Sequence, residues 1–182
     1  EALQAGRFVE AEVLYRKLVA RFPDSVELRR NQGRSMFSQG KLEPAIAIYR
    51  ELAESYPADA DVHYGLGKLL DRVGNRREAI DCFGTAAQLG AEFPEAYYDL
   101  CVALRREGRT AESMECFLHA VRVRPTYVDA RLNLGVILAA EGKLDQAIQQ
   151  YREALRIAPD DAVIHFNLGN ALARRGDRVE AI

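Results

Sequence analysis

The sequence lacks several features that would each assign it to a class of protein. No apolar run approaches the 18 or more residues that span a bilayer, so we predict no membrane insertion. The formal net charge at pH 7 is only −2, which provides no basic surface for nucleic acid or anionic lipid. No low-complexity stretch or linker interrupts the 182 residues, of which 48% are hydrophobic. These absences favour a packed chain and predict no nucleic-acid partner.

Cysteine is also scarce. The chain has three cysteines, Cys82, Cys101 and Cys116, an odd number without a CxxC spacing. This pattern is more typical of a reducing compartment than of a disulfide framework. The first ten residues also lack the basic and then apolar pattern of a secretion signal. We therefore expect reduced cysteines, with Cys82 and Cys116 as small core residues, and a cytoplasmic location.

What the sequence does contain is glycine at a fixed interval. One glycine column repeats every 34 residues, and two further columns of small residues keep the same register. The three columns are Gly6, Gly40, Gly74, Gly108, Gly142 and Gly176; Gly33, Gly67, Cys101, Gly135 and Gly169; and Ala11, Ala45, Ala79, Ser113, Ala147 and Ala181. A fixed period of this length is typical of a solenoid built from repeats.

The repeat around Gly142 shows how one repeat folds. Its apolar residues fall at helical spacing on both sides of Gly142, which predicts two amphipathic helices joined by a short turn. Gly142 stands where the first helix must end in a left-handed cap, and Pro159 stops the second helix. Gly135 and Ala147 predict a close approach of the two helices, with Tyr151 filling the space against the neighbouring repeat. We expect Gly135→Leu to cost about 1–3 kcal/mol by overpacking.

Taken together, these positions resemble the tetratricopeptide repeat (TPR) family. The matching residues are Leu134, Gly135, Leu138, Gly142, Ala147, Tyr151, Ala154 and Pro159. The resemblance covers the whole chain as one array, with partial repeats at 1–25 and 162–182 and full repeats at 26–59, 60–93, 94–127 and 128–161. It implies an all-α fold, a right-handed superhelical solenoid of antiparallel helix pairs. We expect the sequence to be a fragment of a longer chain.

Departures from the pattern are local. The proline that ends each second helix lapses to Ala91, and Pro94 opens the next helix instead, where proline is tolerated. Val179 and Ile182 belong to an apolar face whose partner helix is absent from the sequence. We therefore expect end-to-end association of the chain.

The resemblance also implies where a partner binds. In this family the first helices of successive repeats line the concave side of the superhelix, where extended peptides or partner helices lie. We expect the partner to contact Arg30, Asn31, Arg34, Tyr64, Lys68, Arg72, Tyr98, Asp99, Leu132, Asn133, Phe166, Asn167 and Asn170. The lining changes from charged in the N-terminal half to apolar with asparagine in the C-terminal half.

Three asparagines, Asn31, Asn133 and Asn167, share one repeat position. An asparagine amide can donate to and accept from a peptide backbone at once, which suits a sequence-tolerant grip on an extended chain. The column is similar to the one that lines the superhelix of O-linked N-acetylglucosamine transferases, although Gly65 and Asp99 interrupt it. The alternative is that asparagine is only a polar residue on a solvated face.

The aromatic residues Tyr64, Tyr98 and Phe166 also share one position. They either anchor a ligand or, partly buried, support the neighbouring helix.

A basic group, Arg30, Arg34, Lys68 and Arg72, either meets an acidic segment or is an ordinary solvated face. It does not match the clamp by which one TPR subfamily holds the acidic tails of chaperones, because Asp99 stands where that clamp needs a basic residue.

The sequence contains no constellation for catalysis or metal binding. The run Gly65-Leu66-Gly67-Lys68 lacks the rest of the phosphate-loop pattern and falls inside a predicted helix. We predict a non-catalytic interaction scaffold without cofactor or metal, which binds a protein or peptide in its concave groove. The alternative is the substrate-recognition arm of a larger enzyme, such as an O-linked N-acetylglucosamine transferase-like glycosyltransferase.

Overall fold

The computed structural model describes residues 2–90 and 93–176. In these residues the chain forms ten α-helices and no β-strand. They are α1 (Ala2–Arg21), α2 (Val26–Ser38), α3 (Leu42–Ser55), α4 (Ala60–Arg72), α5 (Arg76–Leu89), α6 (Pro94–Arg106), α7 (Thr110–Val123), α8 (Val128–Ala140), α9 (Leu144–Ile157) and α10 (Ala162–Arg175). The predicted all-α repeat solenoid is confirmed. None of these helices combines the length and apolar character that crossing a bilayer requires.

The helices form two compact units. The N-terminal unit is Glu1–Ala96 and the C-terminal unit is Tyr97–Ile182, so the boundary falls inside α6. In the N-terminal unit, α2 pairs with α3 and α4 pairs with α5, while α1 packs on α2 and α3 packs on α4. In the C-terminal unit, α8 pairs with α9. Helix α7 packs on α8, and α10 packs mainly on α9. Within each unit, therefore, helices that follow one another in the chain are neighbours in space.

Glycine makes the turn inside each helix pair. Five members of the glycine column have left-handed backbone, namely Gly40, Gly74, Gly108, Gly142 and Gly176, with φ between 76° and 102°. A residue with a Cβ enters this conformation only at a cost, so the predicted left-handed caps are confirmed. Gly6 differs because it lies inside α1.

Proline sets the ends of the second helices. α3 ends at Ser55, just before Pro57, and α9 ends at Ile157, just before Pro159. Pro94 is the first residue of α6, as expected. The predictions that rest on Ala91, Val179 and Ile182 lie outside the described residues, and end-to-end association stays a prediction.

An aromatic ring on the second helix packs against a glycine on the first. A Cβ on Gly135 would come within 2.8 Å of Cδ1 of Tyr151, and a Cβ on Gly33 would come within 2.7 Å of Cε2 of Tyr49. Tyr49 also reaches the next repeat, since a Cβ on Gly65 would come within 2.7 Å of its Cζ. The prediction that Tyr151 fills space against the neighbouring repeat was therefore incomplete, because the Tyr151 ring also packs against Gly135 of its own repeat.

The cysteine prediction is wrong for two of the three residues. Cys101 on α6 and Cys116 on α7 form a disulfide, with 5.4 Å between their Cα atoms. Beside it, the Ser113 hydroxyl donates to the Cys101 carbonyl oxygen at 2.7 Å. Cys82 is a free, buried residue, and burial raises the pKa of its thiol to about 11. The cytoplasmic location rested on reduced cysteines, and the disulfide removes that support.

A buried carboxylate joins α1 to the turn after α2. Glu12 is 4% exposed and accepts hydrogen bonds from Lys41 Nζ at 2.5 Å and Gln39 Nε2 at 2.9 Å. Arg16 completes its shell with a bond of 2.7 Å. The hydrogen bond from Lys41, opposed by desolvation, lowers the pKa of Glu12 below its ordinary value of 4.5. The ionised form is therefore the one that the fold stabilises.

We expect Glu12→Gln to destabilise the chain at pH 7 by about 1–3 kcal/mol, because the buried amide loses the charge-assisted bonds that Lys41 and Arg16 make to the carboxylate. Since the pKa of Glu12 is lowered on folding, its contribution is present above the unfolded pKa and disappears as the pH falls through the folded pKa. Urea melts of wild type and variant should therefore converge below about pH 4. Glu54→Gln, an exposed carboxylate on α3, is the control. A stability difference for Glu12→Gln that is independent of pH would contradict the assignment.

Candidate functional site

The first helices of the N-terminal unit line a cavity of about 530 Å³. It brings together four of the predicted residues, Arg30 and Arg34 from α2 and Tyr64 and Lys68 from α4. Asn31 is partly buried on α2 and Arg72 is the exposed last residue of α4, and neither lines the cavity. The structure thus groups part of the predicted basic patch with one predicted aromatic residue.

The basic residues of this cavity differ in their partners. Arg30 Nη1 lies 2.7 Å from Oδ2 of Asp61 and 3.5 Å from Oδ1 of Asp59, so its charge is balanced inside the unit. Arg34 and Lys68 are exposed and have no carboxylate within ion-pair distance in the part of the chain that the structure describes. The cavity therefore carries uncompensated positive charge at its rim.

Aromatic rings form one wall of the same cavity. The Tyr64 ring lies 4.7 Å from the Phe93 ring and 5.9 Å from the Phe83 ring, measured between centroids. Lys68 Nζ lies 5.4 Å from the Tyr64 centroid, a cation–π contact. Tyr64 is partly buried against the unit and also lines the cavity, and its role as a ligand anchor stays a prediction.

Phe93 was missed by the sequence analysis, although its repeat column contains a signal. That column holds the residue before each first helix, and in α4 and α10 an aspartate there, Asp59 or Asp161, caps the helix through its side chain. Phe93 and Tyr127 replace this cap with a ring. The Tyr127 ring packs at a tilt against Tyr98, with 5.4 Å between centroids, as Phe93 packs against Tyr64. An aromatic residue at the cap position therefore indicates a ring pair with the first helix of its own repeat.

The C-terminal unit has its own cavity, of about 570 Å³, between α8 and α10 above Tyr151. Two predicted residues, Asn167 and Asn170, line it together with the apolar Val136 and the basic Arg174. Asn167 Nδ2 donates to the Val163 carbonyl oxygen at 2.8 Å, which fixes the orientation of the amide. The lining combines apolar side chains, two amides and one basic residue.

Asn133 and Tyr98 support one another. Asn133 Nδ2 donates to the Asp129 carbonyl oxygen at 2.8 Å and to the Tyr98 hydroxyl at 3.2 Å. Tyr98 also packs edge-on against the buried Phe117 at 6.0 Å. Burial is the main cause of the raised pKa of Tyr98, followed by the charge of Asp129. These two predicted residues therefore make contacts within the C-terminal unit that stabilise its fold.

The remaining predicted residues are spread over three helices. Asp99 is partly buried on α6, and Leu132 is partly buried on α8 against the core. Phe166 on α10 is the most exposed large apolar side chain among the described residues, at 69%. None of the three lines either cavity described above.

The histidines have contacts typical of structural residues. Nε2 of His63 lies 2.9 Å from the Pro57 carbonyl oxygen, and Nε2 of His165 lies 2.7 Å from that of Pro159. Arg131, at the same repeat position, donates to the Pro125 carbonyl oxygen at 2.7 Å. This position therefore ties a first helix to the segment that precedes it. In residues 2–90 and 93–176 no group of three or more His, Cys, Asp or Glu side chains is arranged to hold a metal ion.

Comparison with known families agrees with the repeat pattern. Models described as tetratricopeptide repeat match residues 2–69, 64–121 and 116–149, and one described as TPR repeat matches residues 137–176. The chain belongs to the tetratricopeptide repeat family. The four matches follow one another along the TPR chain with small overlaps. A search of the curated proteins gives no match to it.

Solved TPR structures resemble the chain over most of its length. YrrB, described as a TPR protein with an unusual peptide-binding site, is 26% identical with a TM-score of 0.77, covering 92% of this chain and 87% of YrrB. A MamA structure is 26% identical with a TM-score of 0.77, covering 82% of this chain and 87% of MamA. PilF of Pseudomonas aeruginosa has a TM-score of 0.82 at 21% identity, covering 98% of this chain and 82% of PilF, and shows the fold alone. The family consists mainly of non-catalytic interaction modules.

Proposed function

We propose that this TPR chain is a non-catalytic interaction scaffold that holds an extended peptide segment or a partner helix against its first helices. The observation that carries the proposal is that each unit has a cavity lined by first-helix side chains, of about 530 Å³ in one and 570 Å³ in the other. Either cavity has the volume of a typical ligand site. The similarity to YrrB, a peptide-binding TPR protein, supports the same function.

The C-terminal cavity offers the chemistry that an extended backbone needs. Asn167 and Asn170 provide amides that donate and accept hydrogen bonds, and Val136 provides an apolar surface beside them. A peptide backbone exposes alternating N–H and C=O groups, so amides hold it without selecting for one sequence. The exposed Phe166 ring on the same helix adds an apolar anchor of the kind that contributes strongly to binding.

The test uses the whole chain and a peptide selected from a random 12-residue library. We expect Asn167→Ala with Asn170→Ala to weaken the selected peptide by about tenfold or more, since two polar contacts are lost. Fluorescence anisotropy measures the affinity, and circular dichroism checks that helicity is unchanged. We leave Asn133 intact because it bonds Tyr98 within the fold.

The matched control is Gln146→Ala with Gln149→Ala, which removes two exposed amides from α9 in the same unit, outside the cavity. It should bind the peptide as the wild type does. Equal affinity of the asparagine variant and the wild type would show that this cavity does not hold the peptide.

The second candidate function is the substrate-recognition arm of a larger enzyme. The asparagine column favours it, because Asn167 of that column lines the C-terminal cavity. In this case the same groove presents a protein substrate to a catalytic domain elsewhere in the parent protein. Sequencing the full reading frame tests this alternative, which requires a catalytic domain in the same frame.

A further inference from the structure

Glycine interrupts the asparagine column at the cavity of the N-terminal unit. Gly65 occupies the repeat position of Asn31 and Asn133. A Cβ on Gly65 would come within 2.7 Å of Cζ and 3.0 Å of Cδ1 of Tyr49, so the ring lies directly against the helix backbone. With no side chain at residue 65, the Tyr49 ring takes the position that a Cβ would need, and both residues line the cavity.

Tyr49 lines the cavity of the N-terminal unit as a neutral group. It is 3% exposed, and burial raises the pKa of its hydroxyl to about 12. The hydroxyl donates to the Arg30 carbonyl oxygen at 3.3 Å. An anion in the cavity therefore meets an uncharged ring at this side.

The charged groups of the cavity favour an anion. Asp61 is the one carboxylate among the described lining residues, and Arg30 holds it at 2.7 Å. Arg34 and Lys68, at equivalent positions of α2 and α4, have no carboxylate partner in the described part of the chain. Two cations without counter-charges in one concave site attract a negative group more strongly than isolated surface charges do.

The aromatic wall limits the kind of anion that fits. Phe37, Tyr64 and Phe93 line the cavity beside the two cations. These rings provide an apolar surface for methylene groups, while Arg34 and Lys68 provide donors for a carboxylate. A glutamate side chain combines the two chemistries, because its stem is apolar and its end is an anion.

We propose that the cavity of the N-terminal unit binds a glutamate side chain of an acidic peptide segment, with Arg34 and Lys68 pairing its carboxylate. This assignment rests on the proposed function and adds the chemistry of the partner. Arg30 is excluded from the pair because Asp61 and Asp59 already balance it, and Arg72 lies outside the cavity. The predicted basic group is thus reduced to two residues.

The test compares two labelled 12-residue peptides on the whole chain, one alternating Glu and Ala and one alternating Gln and Ala. We expect the Glu peptide to bind about tenfold more tightly at low salt, with the preference declining as salt screens the pairs. Arg34→Gln with Lys68→Gln should abolish the preference while keeping the side-chain stems. The control, Lys17→Gln with Arg76→Gln, removes the same charge from exposed residues outside the cavity. This variant should keep the preference for the Glu peptide.

Three results would overturn the inference. They are equal binding of the Glu and Gln peptides, a preference that persists in Arg34→Gln with Lys68→Gln, and no binding of either peptide. The asparagine variants of the C-terminal unit are measured with their own selected peptide. If those variants lose affinity while the Glu preference is absent, the proposed function stands and only this inference fails.

Discussion

Gly135→Leu is expected to lower the stability of the C-terminal unit by about 3 kcal/mol, the upper part of the usual range for overpacking. Even a bare Cβ at this position would come within 2.8 Å of Cδ1 and 2.9 Å of Cζ of Tyr151. Tyr151 is 1% exposed and belongs to the core with Leu134 and Ile148, so its ring cannot move aside without disturbing that core. The midpoint of urea unfolding, followed by circular dichroism, measures the effect.

The matched control is Gly84→Ala, in the middle of α5. A Cβ there meets nothing within 4 Å, so only the helix preference of alanine acts. We expect this variant to be more stable than the wild type by about 0.5–1 kcal/mol. Gly135→Ala carries the same propensity gain but places its Cβ against Tyr151, and should be less stable than the wild type. A Gly135→Ala variant as stable as Gly84→Ala would contradict the close packing of the helix pair.

Reducing the Cys101–Cys116 disulfide is expected to lower the free energy of unfolding by about 3 kcal/mol. The bond closes a loop with a sequence separation of 15 residues and so restricts the unfolded chain. It also joins α6 directly to α7, two helices that the hydrogen bond from Ser113 to Cys101 and the edge-on contact between Tyr98 and Phe117 link as well. Urea melts with and without reductant measure the difference.

Two controls separate the disulfide from other effects of the reductant. Cys116→Ser should be insensitive to reductant, because no bond remains to be broken. Thiol titration of the unfolded chain should give one thiol, Cys82, before reduction and three after it. Three thiols before reduction would show that the bond is absent and that the original expectation of reduced cysteines holds.

The fold was predictable because its determinants are local. A left-handed turn depends on one residue, and Gly40, Gly74, Gly108 and Gly142 mark such turns in the sequence as clearly as in the structure. Proline acts locally as well, since it lacks the N–H that would continue a helix. A repeat of 34 residues then shows each local rule several times, so one lapse such as Gly6 does not obscure it.

The disulfide was not predictable from repeat position alone. Equivalent residues such as Cys82 and Cys116 are the natural pair to compare, and they are one repeat apart. Cys101 and Cys116 occupy different columns, on the first and second helix of one pair, and only the packing of those helices brings their Cα atoms to 5.4 Å.

The candidate site was predictable only as a set of positions. The sequence selects Arg30, Arg34 and Lys68 alike, because all three fall on the expected face of a first helix. The contacts then separate them, since Asp61 and Asp59 balance Arg30 and leave the other two without carboxylate partners among the described residues.

By itself, the sequence determined the family, the helices and the residues that make each turn, because these follow from short-range chemistry repeated at a fixed interval. Only the tertiary structure decided which residues meet. The bond between Cys101 and Cys116, the Tyr49 ring against Gly65 and the pairing of Arg30 with Asp61 all join different helices. Such contacts depend on how side chains fill the space between packed helices. The repeat period does not specify this packing.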